Sequence, residues 1–114
     1  MEINGDNYKI CGDNQLATID FIGSLRLSGT EEYAPILELL HEVASCEPSN
    51  ITLNLKQLNF LNSSGISMLS KFVIEMRKKS TIKMIVIGSN DIPWQGKSLK
   101  NLQRLMPGLA LEFQ

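Results

Sequence analysis

Apolar and polar positions alternate first over a short stretch, Tyr8 to Cys11, which fits a short edge strand. Gly12-Asp13-Asn14 follows with turn chemistry, because Gly and Asn tolerate positive φ. From Leu16 to Ile22, the residues Ala17, Ile19 and Phe21 alternate with Thr18 and Asp20, the period of a half-buried strand. Gly23 and Ser24 interrupt it, and Leu25 and Leu27 carry the extended path on. These leading segments predict an antiparallel hairpin at one end of a sheet. The period then changes. Tyr33, Leu37, Leu40 and Ala44 fall on one helical stripe with Ile36, Leu39 and Val43 beside it. Thr30 is the expected N-cap, Glu31 and Glu32 suit the positive end of the dipole, and Pro35 is tolerated in the first turn or so. Glu47-Pro48-Ser49-Asn50 ends this helix.

The second half repeats the pattern. Ile51, Leu53 and Leu55 alternate with Thr52 and Asn54 and predict a strand. After the segment from Gln57 to Gly65, Ile66, Leu69, Val73 and Met76 recur at helical spacing, and Arg77, Lys78 and Lys79 stand at the C-terminal end, where positive charge is favoured. Met84 to Ile87 is continuously apolar, which predicts a strand covered on both faces. Gly88 to Gly96 reads as a loop. Leu99, Leu102, Leu105 and Met106 form a third stripe closed by Pro107-Gly108, and Leu109, Leu111 and Phe113 alternate in a last strand. Strands joined through helices predict an α/β domain with a mixed, mostly parallel β-sheet and three or four helices packed on it. With 114 residues, no internal repeat and no linker, residues 1–114 are expected to form a single domain.

Composition narrows the function classes. The formal charge is −1 and the pI about 5.8, which argues against electrostatic binding of nucleic acid. The apolar runs are too short to span a bilayer, and Met1 to Asp6 lacks the charged and apolar regions of a signal peptide, so a cytoplasmic protein is expected. Cys11 and Cys46 form no CxxC and read as reduced, partly buried thiols. With His41 they fall short of the roughly four ligands of a zinc site, so no metal or cofactor is expected. The nucleotide-cradling patterns GxxxxGK[ST] and GxGxxG are absent, and so is a GxSxG nucleophile elbow. His41 reads as an ordinary helix histidine among Leu39, Leu40 and Val43. No acid, base and nucleophile assemble from the sequence, which points away from an enzyme.

The informative segment is Asn59-Phe60-Leu61-Asn62-Ser63-Ser64-Gly65-Ile66, where a strand gives way to a helix. One reading is capping alone, with Asn62 or Ser63 accepting a backbone N–H. The other is a hydroxyl displayed to a partner. Phosphorylation there would add a charge of about −1.5 to −2, which a helix N-terminus tolerates, while repelling acidic or apolar groups on a docked partner. Trp94 follows a proline in the loop after the Met84–Ile87 strand, near the same turn if the two strands are parallel neighbours. It reads either as a lid folded onto the third helix or as a docking anchor of the kind enriched at interfaces.

These residues carry a likeness. The strand Ile51 to Leu55, the stretch Leu58-Asn59-Phe60-Leu61 and the turn Asn62-Ser63-Ser64-Gly65-Ile66 resemble the STAS domain of bacterial anti-sigma factor antagonists. That family typically shows an acidic residue, Ser, Ser or Thr, then Gly at this turn, and Gly23-Ser24-Leu25 resembles its Gly-x-Leu turn. Element order and length agree over nearly the whole chain. The resemblance implies that Ser63 is the phosphoacceptor, with Ser64 its neighbour and Gly65 permitting close approach. It also implies an anti-sigma-factor-like serine kinase and a phosphatase as partners, with ATP and Mg²⁺ belonging to the kinase. Asn62 stands where the family usually has Asp, and Arg26 where Asp is frequent. The partner surface is expected at Asn62, Ser63, Ser64, Gly65 and Trp94 and along the second helix. The alternatives are a non-switching scaffold subunit of a larger signalling assembly and a small-ligand or lipid binder; the sequence leaves a homo-oligomer open.

Overall fold

A computed structural model describes residues 1–114. The elements run β1 (Glu2–Asn4), β2 (Tyr8–Asp13), β3 (Thr18–Leu25), α1 (Gly29–Ser45), β4 (Asn50–Leu61), α2 (Ser63–Lys79), β5 (Lys83–Gly88), α3 (Gln95–Leu105) and β6 (Ala110–Phe113). The six strands lie in one sheet in chain order. The β1–β2 and β2–β3 pairings are antiparallel, and β3–β4, β4–β5 and β5–β6 are parallel. The sheet is therefore mixed and mostly parallel, with three helices, as the alternation of periods predicts.

Strand order dictates where the helices go. Parallel crossovers are right-handed as a rule, and here the strands advance in one direction, so α1, α2 and α3 belong on the same face. There α1 packs on α2 and α2 on α3. Ile51, Leu53 and Leu55 of β4 and Met84 and Val86 of β5 point into this layer and are among the 28 buried residues of one apolar core. The expectation that β5 is covered on both faces is overturned. Ile85 and Ile87 are only half-buried, because no crossover returns across the other face. That open face carries Thr18, Asp20, Thr52 and Asn54, and Asn54 Nδ2 donates to Asp20 Oδ1 at 3.0 Å.

Three further expectations need correction. The edge strand is β1, absent from the sequence reading; three residues cannot show a period, and pairing with β2 (Ile3 opposite Ile10) forms it. β4 does not stop at Leu55 but continues through the expected connection to Leu61. Its register against β3 shifts twice, between Asp20 and Ile22 and between Gly23 and Ser24, so burial steps from Leu55 to Leu58 to Leu61 and the period of two is lost. α1 begins at Gly29 with Ser28, not Thr30, at the N-cap; the Ser28 amide donates to the Glu32 carboxylate at 2.9 Å.

The irregularity of β4 has a tertiary answer. Gln95, the one buried polar residue, donates from Nε2 to the carbonyls of Leu55 (2.6 Å) and Leu58 (3.1 Å) and accepts from the Ser89 amide at 2.7 Å. A Cβ at position 88 would lie 2.8 Å from Gln95 Oε1, so Gly88 makes room for this plug.

Candidate functional site

β4 passes into α2 with no loop, so one residue must turn the chain and satisfy the helix start. Asn62 does so from an extended backbone (φ −79°, ψ 175°). Its Oδ1 accepts from the Gly65 amide at 3.0 Å and from the Tyr33 hydroxyl at 2.6 Å, and its Nδ2 donates to the Leu27 carbonyl at 2.7 Å. Every polar atom of this side chain is thus engaged, and it ties the β3–α1 connection, α1 and α2 together. The Leu27 contact explains why an amide stands here. A carboxylate could accept from Gly65 and Tyr33 but would have nothing to donate to Leu27.

Capping and exposure fall to neighbouring residues. Asn62 caps, and Ser63 is exposed, with a hydroxyl that makes no hydrogen bond within the chain. Of the first four amides, that of Asn62 donates to the Leu25 carbonyl and that of Gly65 to Asn62, which leaves those of Ser63 and Ser64 without an intrahelical acceptor. An anion on Ser63 would therefore sit against open N–H groups and the positive helix end without displacing the cap. Ser64 is half-buried. Gly65 is buried, and a Cβ there would come within 2.2 Å of Leu61 Cδ1 and 2.8 Å of Tyr33 Oη, so only glycine lets α2 approach α1 this closely. Burial raises the Tyr33 phenol above its ordinary value of 10.0.

Tyr33 and Leu27 are the site residues that sequence reasoning missed. Tyr33 shows only as a core stripe position, and Leu27 contributes a backbone carbonyl that no side-chain pattern reports. Arg26 is exposed and stands over Phe60, its guanidinium carbon 3.9 Å from the ring centroid. Trp94 is half-buried against the core, and its indole N–H donates to the Leu58 carbonyl at 3.0 Å. It thus leans on the second half of β4, at the same end of the sheet as the turn.

Beside the turn, α1 and α2 part to leave a groove of about 650 Å³. Tyr33, Ala34, Leu37 and Met68 supply its apolar lining, and Ser64 and Ser67 line it from α2. Farther along, His41 Nε2 meets Glu75 Oε2 at 2.5 Å across the two helices, with Phe72 against the imidazole at 5.9 Å between ring centroids. The single histidine is thus part of a helix–helix contact. Cys11 is half-buried as expected, whereas Cys46 is exposed just past the end of α1; both thiols are free. No helix is long and apolar enough to cross a membrane.

Comparison with curated proteins returned no sequence match. Among solved structures, the chain is similar to SiaC of Pseudomonas aeruginosa, with a TM-score of 0.76 at 12% identity over 100% of this chain and 96% of that one. It is similar also to a chain in the crystal structure of the diguanylate cyclase SiaD in complex with its activator SiaC, from the same organism, with a TM-score of 0.75 at 12% identity over 100% of this chain and 99% of that one. At that identity the likeness speaks for the fold. The family model for the STAS domain matches residues 19–95, from β3 through the Asn62–Gly65 turn to the first residue of α3, and the chain belongs to the STAS domain family.

Proposed function

We propose that this STAS domain is a non-catalytic regulatory module that binds a protein partner at the Asn62–Gly65 turn and along α2, and that a serine kinase controls the contact by phosphorylating Ser63. The observation that carries this reading is the division of labour at the turn: a fully engaged Asn62 holds the helix start, and the neighbouring hydroxyl is exposed and unbonded. A phosphate on Ser63 changes the charge of the docking face and leaves the fold intact. Partner exchange without a large conformational change follows. SiaC, whose fold the chain shares, is an activator found in complex with an enzyme, which supports a binding role for this architecture. The anti-sigma factor antagonists that the sequence resembles supply the rest of the reading: a kinase that is itself a partner, a phosphatase that resets the switch, and a cytoplasmic setting where ATP is present. Trp94 serves as a second contact, with its N–H used internally and its ring half-exposed at the same end of the sheet.

Mass spectrometry of the protein isolated from its native host tests the modification, and the expected finding is phosphate on Ser63. Pull-downs comparing the wild type with Ser63→Ala and Ser63→Asp test the switch. Ser63→Ala should retain the partner, and Ser63→Asp should weaken it by about tenfold or more. Phosphate found only on other residues, or a partner indifferent to Ser63→Asp, overturns the switch.

A further inference from the structure

The groove between α1 and α2 has walls of unequal charge. α1 carries Glu31, Glu32, Glu38 and Glu42 and no Lys or Arg. Glu31, Glu38 and Glu42 are exposed and recur at helical spacing on one line, and Glu38 borders the groove. The Lys–carboxylate pair of the molecule is Lys9–Glu2, and His41 meets Glu75, so none of these three carboxylates has a basic partner. On the other wall stand Ser64, Ser67 and Lys71, the last two exposed and Lys71 likewise without an ion pair; Ser63, also exposed, lies just outside this lining, one turn before Ser67. Between the walls lie Tyr33, Leu37 and Met68.

From this we infer that the groove seats an amphipathic helix of a protein partner, with an apolar ridge on Tyr33, Leu37 and Met68, Lys or Arg along its α1 side and Asp or Glu facing Lys71. The inference rests on the reading of the domain as a partner-binding module and adds the face and the chemistry of the partner. It also gives the switch a direction. A phosphate on Ser63 stands at the N-terminal end of the α2 wall, one turn before Ser67, beside the path of the partner's acidic flank, and repels it. The unneutralised glutamates across the groove leave the basic flank attracted, so release depends on the α2 wall alone.

A synthetic helical peptide with a leucine ridge, one lysine flank and one glutamate flank is the probe, titrated into the isotope-labelled full chain. Amide shifts are expected at Tyr33, Leu37 and Met68. Glu38→Lys with Glu42→Lys should weaken binding by about tenfold, Lys71→Glu by less, and a twin peptide with glutamate on both flanks should bind at least about tenfold more weakly. All these substitutions are at exposed positions, and circular dichroism confirms that the variants fold. No binding, shifts elsewhere, or an affinity indifferent to charge reversal on α1 overturns the groove. The two readings fail separately. If Ser63→Asp releases the native partner while the peptide ignores the groove, the switch stands and the groove falls; a peptide that seats while the native partner ignores Ser63→Asp gives the reverse.

Discussion

Two strand-to-helix junctions lie side by side at the carboxyl end of the parallel strands, and they solve the same problem in opposite ways. At β4–α2 the chain turns without a loop, and Asn62 caps the helix while Ser63 faces outward. At β5–α3 a loop from Ser89 to Trp94 intervenes, Trp94 stands at the N-cap with no side-chain hydrogen bond, and the first helical residue, Gln95, is buried. One junction keeps its polar side chain in the cap and leaves the next hydroxyl free. The other drives a polar side chain into β4 and closes. An exposed hydroxyl and a structural plug thus arise from the same supersecondary unit, decided by which residue faces the sheet.

That contrast can be broken, beginning with the plug. Gln95→Leu strands the Leu55 carbonyl and the Ser89 amide in a dry setting, and urea denaturation should show a loss of about 2–4 kcal/mol. Asn62→Ala removes the cap and leaves the buried Tyr33 hydroxyl unpaired, for an expected loss of about 2–3 kcal/mol. Asn62→Asp, the residue usual in the anti-sigma factor antagonists, keeps the acceptor and loses only the bond to Leu27; its cost should be about 1 kcal/mol in the same measurement. An equal cost for the Ala and Asp variants would show that the cap contributes little.

Tyr33 supplies a pH test. Its folded-state pKa is raised by burial, so the native state holds the phenol proton more tightly than the unfolded chain does. Stability linked to this group is complete below about pH 10 and falls as pH rises through the folded-state value. Tyr33→Phe should flatten that alkaline limb and cost about 1 kcal/mol at neutral pH through the lost bond to Asn62. An alkaline limb identical in the variant would assign the loss to other groups. The smallest effect belongs to the displayed residue. Ser63→Asp should change stability by less than about 0.5 kcal/mol, because an exposed anion in the first turn is favoured. A larger loss would mean that Ser63 holds the fold together, contrary to its exposure.

How much was legible follows from how far apart the interacting residues are. The stripes of α1 and α2, the leading hairpin, the alternation of elements and the Asn62-Ser63-Ser64-Gly65 turn are local patterns, and each side chain's role there depends on neighbours within a few positions. The sequence by itself therefore determined the class of the domain and the place where a serine meets a helix start. Only the tertiary structure decided that β1 exists, that β4 runs on past its bulges, that all helices share one face and that Asn62 rather than Ser63 is the cap. Those outcomes rest on partners distant in the chain: Leu27 lies 35 positions from Asn62, and Leu55 lies 40 from Gln95. A backbone carbonyl so far away leaves no trace in side-chain periodicity. Packing brings it within reach, and the side chain that answers it becomes recognisable only then.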